Sequence, residues 1–158
     1  MSEAMIKYIV TGGAGLIGSN LVAALNARGE TDILVVDNLN HPMKRRNLEG
    51  LRYAGYLDKR DLRAALRACE YGSVETIFHL GACSSTTERN LEYLADNNTA
   101  YTRELCEWAL AGGRRFIYAS SAATYGGGEH GYSDAPEIIP LLRPLNAYGQ
   151  SKQDFDLI

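Results

Sequence analysis

The sequence predicts an α/β fold with a doubly wound parallel sheet in strand order 3-2-1-4-5, incomplete at its C-terminal end. Three observations carry this. Short apolar runs alternate with amphipathic stretches of helical period, the pattern of βαβ units. The first apolar run enters a glycine-rich turn, TGGAGLIG, that opens a helix. The spacers between the runs are long enough for right-handed crossovers, which parallel strands nearly always use.

Ile6 to Val10 reads as the first strand. Leu16, Ile17, Leu21, Val22 and Leu25 then recur at helical spacing, and Gly29 closes that helix. Ile33 to Val36 is the second strand and Arg52 to Ala54 the candidate for the third. Asp61 to Cys69 reads as a helix and Val74 to Leu80 as the fourth strand. Leu91 to Leu110 is one long helix, ended by Gly112 and Gly113. Phe116 to Ala119 is the fifth strand. Gly126 to Pro144 is rich in Gly and Pro and reads as a loop over the site. A last helix begins at Ala147 and runs to the end without a stop signal. The expectation is one dinucleotide-binding domain over residues 1–158, a fragment of a longer polypeptide, with a substrate domain absent.

Composition excludes several classes. The chain has 158 residues, 46% of them hydrophobic, which suffices for one packed core. No apolar run approaches the ~20 residues of a membrane span, and the short, polar stretch Met1 to Met5 gives the expectation of no signal peptide. The formal charge of −3 gives no pull toward nucleic acid. Cys69, Cys83 and Cys106 form no CxxC pair and fit free thiols in a reducing cytoplasm. His41, His79 and His130 lack metal-ligand spacing, so no metal site is expected and all three read as structural or surface residues.

Gly12, Gly13, Gly15 and Gly18 satisfy both a GxxGxxG and a GxGxxG spacing. One glycine permits the tight turn, another lets backbone approach a pyrophosphate, and the last allows close helix–strand packing. The helix that follows aims its free N–H groups at the phosphates. Position after a strand and before a helix is the context that makes the pattern specific. Asp37 ends the second strand, 19 residues after Gly18, where an acid binds the adenosine ribose hydroxyls. Such an aspartate favours NAD. Lys44, Arg45 and Arg46 follow closely and could pair with the 2′-phosphate of NADP, or could form a solvated basic loop. Lys59 opens a second basic stretch, most of it an exposed helix face.

Tyr148 and Lys152 stand four apart in NAYGQSK and share a helix face. An ammonium near a phenol favours the phenolate over its usual pKa of ~10. A tyrosine tuned in this way takes a proton from an alcohol while a nicotinamide takes the hydride. Tyr125 is a control: its fourth neighbour is Glu129, which discourages a phenolate. Ser120 and Ser121 end the fifth strand and complete the group.

The runs IVTGGAGLIGSN, FHLGACSSTTE, DNN at 96–98, YASSAATYGG and PLNAYGQSK together resemble the extended short-chain dehydrogenase/reductase superfamily, with its Rossmann-like fold. Within it, GACSSTTE and SSAATYGG look most like the ADP-heptose 6-epimerases, isomerases of lipopolysaccharide biosynthesis. The resemblance covers nearly all of this chain but only about the first half of such an enzyme. It implies backbone contacts of Leu16 and Ile17 to the pyrophosphate. Asp37 and Asn38 would hold the adenosine end, with Lys44 at the 2′-phosphate and Lys59 nearby. Leu80, Gly81, Ala82, Cys83 and Ser84 would line the cofactor, with Asn97 on the following helix. Ser121, rather than Ser120, matches the catalytic serine, Tyr148 the acid/base, and Lys152 the cofactor-ribose lysine. Cys83 matches a cofactor-lining position, not a nucleophile.

The resemblance further implies bound NADP, with NAD as the other possibility, an ADP-heptose substrate, a homo-oligomer, and oxidation and re-reduction at C6″ of the sugar. It places a second acid/base lysine in a later half, so this piece alone is expected to be inactive. Two other readings stay open: another nucleotide-sugar enzyme such as a UDP-hexose 4-epimerase, and a non-catalytic NAD(P)-binding module. Ala122 and Ala123 follow Ser121 where sugar dehydratases carry an acid, which argues against dehydration. An intact Ser121, Tyr148 and Lys152 argues against a pure binding module.

Overall fold

The computed structural model describes residues 5–68 and 70–158. Among these residues five strands, β1 (Tyr8–Thr11), β2 (Ile33–Asp37), β3 (Gly55–Asp58), β4 (Thr76–His79) and β5 (Arg115–Tyr118), form one sheet. Every pairing is parallel, and the order is β3-β2-β1-β4-β5, as the sequence predicts. Val10 of central β1 stands between Val35 and Phe78. All five residues of β2 are buried, because ILVVD is covered on both faces.

The helices are α1 (Leu16–Ala27), α2 (Pro42–Asn47), α3 (Lys59–Arg67), α4 (Leu91–Leu94), α5 (Tyr101–Ala111) and α6 (Ala147–Asp156). On one side of the sheet Val22 and Leu25 of α1 pack with Val10, Ile33, Val35 and Leu48. Each such side chain contributes about 1.5–3 kcal/mol on burial. No helix among the described residues is long and apolar enough to cross a membrane.

The structure corrects several expected boundaries. The third strand is Gly55–Asp58, not Arg52 to Ala54: Ala54 only reaches β2 with one bond, its N–H to the Ile33 carbonyl at 2.9 Å. β3 is an edge strand, half-buried throughout, so it lacks the apolar signature of the others. α2 is a helix that the sequence reading did not place. Its start is held by Pro42 and by the His41 ring, which accepts from the Met43 N–H. α3 starts two residues early because the Asp58 carboxylate caps it; the predicted end at Cys69 lies outside the described residues. Leu16 and Ile17 belong to α1 but are 76% and 70% exposed, so they are not part of its core stripe. The helix predicted over Leu91 to Leu110 has a wider π turn at Ala95–Ala100 between α4 and α5. β1, β4 and β5 are each off by one or two residues from their predicted limits. The predicted loop holds a 3₁₀ turn at Ile139–Leu141.

The described residues divide into two compact units. The first comprises the chain up to Gly81 and Leu105–Tyr118, and so holds the whole sheet. The second comprises Ala82–Glu104 and Ala119–Ile158, and is helical around α6.

Candidate functional site

In the first unit the turn after β1 is a cradle that side chains would fill. Gly12 has φ +67, and a Cβ there would lie 2.7 Å from the Gly81 nitrogen. A Cβ on Gly18 would lie 2.2 Å from the Gly12 carbonyl oxygen, so α1 can approach the turn only without one. Gly15 caps α1 with no side-chain hydrogen bond. First-turn N–H groups, flanked by exposed Leu16 and Ile17, are thus presented to an anion.

Asp37 is 6% exposed at the end of β2. Its carboxylate accepts from the Ala14 N–H at 3.0 Å, the Asn38 N–H at 2.7 Å and the Lys44 ammonium at 2.7 Å. Lys44, carried in by α2, also donates to the Asn38 side chain at 2.6 Å. Asp37, Asn38 and Lys44 are therefore brought together with the glycine turn. A cavity of about 570 Å³ opens beside them, lined by Asn38, Arg45, Tyr56, Lys59 and Arg60 among others. Arg60 is occupied by Asp58 at 2.8 Å, while Arg45 is exposed. At the end of β4, the Leu80 N–H donates to the Thr11 carbonyl and the Gly81 N–H to the Thr11 hydroxyl, both at 3.1 Å. His79 is buried and pairs with that same hydroxyl at 2.6 Å, a structural role.

In the second unit the predicted Asn97 is a neighbour of the residue that matters more. Asn98 is 1% exposed. Its side chain accepts from the Cys83 N–H at 2.8 Å and from Asn97 at 2.9 Å, and donates to the Cys83 carbonyl at 3.0 Å and the Ser151 hydroxyl at 2.9 Å. Ser151 in turn donates to the Tyr148 carbonyl at 2.7 Å. Asn98 thus ties the Cys83 backbone to the helix that carries Tyr148 and Lys152. Two adjacent asparagines within a helical run, each a poor helix former, were the available signal. Ala82 and Ser84 flank Cys83 and are exposed. Asn98→Leu is expected to destabilise the fold by about 1–3 kcal/mol for each Cys83 group left unpaired. A denaturant titration checks this, and an unchanged midpoint would show the network to be dispensable.

Ser121 stands before a 3₁₀ turn, Ala122–Tyr125, and its hydroxyl accepts from the Ala123 N–H at 3.1 Å. This turn packs on α6 at Gly149, where a Cβ would meet the Ala123 oxygen at 2.7 Å. Glycine beside Tyr148 therefore lets the serine turn approach the tyrosine helix. Asn146 caps that helix, accepting from the Gly149 N–H at 2.8 Å. Tyr148 is half-buried and Lys152 is 2% exposed, one helical turn on. Burial pushes the Lys152 ammonium down to about 8. Tyr125 donates to the Asp134 carboxylate, and that bond pushes its phenol up, so it is held neutral. Gln153, which the sequence reading did not single out, is buried and donates to the Ile139 and Leu142 carbonyls at 2.9 and 3.0 Å, fixing the loop.

The lowered Lys152 pKa has two consequences of opposite sign. The unfolded lysine titrates near 10.5. Between about 8 and 10.5 the unfolded chain holds the proton that the folded chain has lost, so stability rises with pH in that window. Chemistry that needs the ammonium is expected to fall as pH passes through about 8. Rate and melting temperature measured against pH should therefore diverge; a rate loss that merely tracked melting would contradict the assignment.

A model of the NAD dependent epimerase/dehydratase family matches residues 8–158. The chain is 50% identical over 151 residues to an ADP-L-glycero-D-manno-heptose-6-epimerase of Nitratidesulfovibrio vulgaris, a match covering 95% of this chain and 47% of that one. Among solved structures, the Helicobacter pylori ADP-L-glycero-D-manno-heptose-6-epimerase is similar with a TM-score of 0.75 and 27% identity, over 99% of this chain and 52% of that one. The UDP-glucose 4-epimerase of Thermotoga maritima, solved with UDP-glucose, gives a TM-score of 0.76 and 28% identity, over 96% and 49%. The chain spans about half the length of the relatives it matches.

Proposed function

The chain belongs to the NAD dependent epimerase/dehydratase family, and on that premise we propose that it is the dinucleotide-binding half of an ADP-heptose 6-epimerase. The reaction interconverts ADP-D-glycero-D-manno-heptose and ADP-L-glycero-D-manno-heptose at C6″. The observation that carries this reading is 50% identity to a heptose epimerase along nearly the whole chain.

The residues present fit a dinucleotide. Gly12, Gly15 and Gly18 leave room that a Cβ would fill, and Leu16 and Ile17 begin the helix that faces the pyrophosphate. Asp37, Asn38, Lys44 and Lys59 would hold the adenosine end. Leu80 to Ser84 and Asn97 would line the rest, with Lys152 at the nicotinamide ribose. When bound, the dinucleotide supplies a hydride acceptor that later returns the hydride. Tyr148 handles the C6″ hydroxyl proton on its own face of the sugar, taking it as the ketone forms in one direction and supplying it on reduction in the other. Ser121 donates to the same oxygen, and the Lys152 ammonium favours the ionised tyrosine. The acid/base group for the opposite face is assigned to the remainder of the polypeptide.

NADP rather than NAD is the cofactor we assign. The cavity beside Asp37 has Arg45 and Lys59 in its wall, and Lys44 sits against the Asp37 carboxylate. Lys44→Ala is expected to weaken NADP about 10- to 100-fold while sparing NAD, since a charge-assisted contact contributes about 1.5–3 kcal/mol. Equal loss for both cofactors, measured by titration, would show that Lys44 does not read the 2′-phosphate. To test the substrate, the complete polypeptide with NADP is offered ADP-heptose and UDP-glucose separately. Epimerisation of ADP-heptose alone is expected; turnover of UDP-glucose alone would overturn the reading.

A further inference from the structure

Asp156, a half-buried carboxylate, has no part in the chemistry above. Asp156 ends α6 and lies four residues after Lys152 and eight after Tyr148, so the three fall on one helix face. One carboxylate oxygen accepts from the Ser120 hydroxyl at 2.6 Å. The other is buried with no hydrogen-bond partner among the described residues, and burial pushes the carboxyl up to about 6.

Stability does not favour an acid at this position. The C-terminal end of a helix carries negative partial charge, which opposes a carboxylate. A buried oxygen without a donor adds a desolvation cost. Ser120 is what the position gains, and Ser120 is the chain neighbour of Ser121. The serine segment is thus pinned to α6 at two points. Ala123 rests on Gly149, beside Tyr148. Ser120 is bonded to Asp156, about two turns further along. Ser121 stands between these pins in the chain.

We infer that Asp156 is a positioning residue, which by accepting from Ser120 fixes where Ser121 stands relative to Tyr148 and Lys152. The inference rests on the roles proposed above for those three residues. It concerns geometry: Asp156 touches neither substrate nor cofactor.

Asp156→Ala, Asp156→Asn and Ser120→Ala, made in the complete polypeptide, test it. Both alanine variants are expected to lower kcat about 10- to 100-fold, the scale of a misplaced group, with KM and NADP affinity unchanged. Asn keeps an oxygen that accepts from Ser120, so Asp156→Asn should restore most of the rate. The double alanine variant should be no slower than either single one, because both break one contact. Ser120 is exposed, so Ser120→Ala still decides the matter if Asp156→Ala fails to fold. A second readout is independent of turnover. The backbone amide signals of Ser121 and Ala123 in an isotope-labelled sample should move in both alanine variants and return in the asparagine variant. If no variant turns over ADP-heptose and neither does the parent, the functional reading fails while the amide signals still decide the positioning claim. Wild-type rates with unmoved signals, or an asparagine variant no better than alanine, would overturn the inference.

Discussion

Tyr148→Phe is expected to lower epimerisation by about 10²–10⁴-fold, the usual contribution of a general acid/base, while fold and NADP binding persist. The change removes one hydroxyl and keeps the ring. In the structure the backbone of Tyr148, not its phenol, makes the bond to Ser151, and the helix cap is supplied by Asn146. Packing and capping therefore survive. Tyr125→Phe is the matched control: its hydroxyl is already committed to Asp134, so its loss should change the rate little. Rates within a few-fold of the parent for Tyr148→Phe would show the proton is handled elsewhere.

Gly18→Ala is expected to remove dinucleotide binding almost completely. A Cβ at this position would lie 2.2 Å from the Gly12 oxygen and 2.7 Å from the Gly13 Cα. Both are backbone atoms of the turn, with no flexible side chain to move aside. α1 must then back away from the turn, which carries its first N–H groups off the pyrophosphate. Overpacking of this kind costs about 1–3 kcal/mol in the free protein, so the variant should still fold if parent stability permits. Gly29→Ala provides the comparison. Gly29 has φ +85 but nothing within 4 Å, so it should lose some stability and keep its affinity. Normal NADP binding by Gly18→Ala, measured calorimetrically, would mean that the cradle is not the phosphate site.

The fold was legible where burial writes a strong pattern. β2 is buried along its length, and α1 alternates at helical spacing up to the positive-φ Gly29. β3 was not legible: an edge strand that starts with glycine and is half-buried has no clear period. α2 was hidden because Pro42 reads as a loop marker, and histidine is an uncommon cap. The NAYGQSK motif located Tyr148 and Lys152, yet its glycine carries information the motif alone does not explain. Gly149 admits the Ala123 carbonyl, a long-range contact invisible to spacing. The same is true of Asn98, whose four side-chain hydrogen bonds reach Asn97 beside it and the distant Cys83 and Ser151. Asn97 and Asn98 are adjacent within the π turn, and it is Asn98 that is buried there.

In the proposed reaction one hydride leaves C6″ and returns to it without exchange with water, with Tyr148 handling the proton on its own face. The most direct measurement runs the complete polypeptide with ADP-D-glycero-D-manno-heptose in deuterated water and examines C6″ of the product by mass spectrometry and NMR. The expected product is the L epimer with its original hydrogen at C6″ and no carbon-bound deuterium there. Deuterium at C6″ would contradict it, because the proton would then have been removed to solvent and replaced.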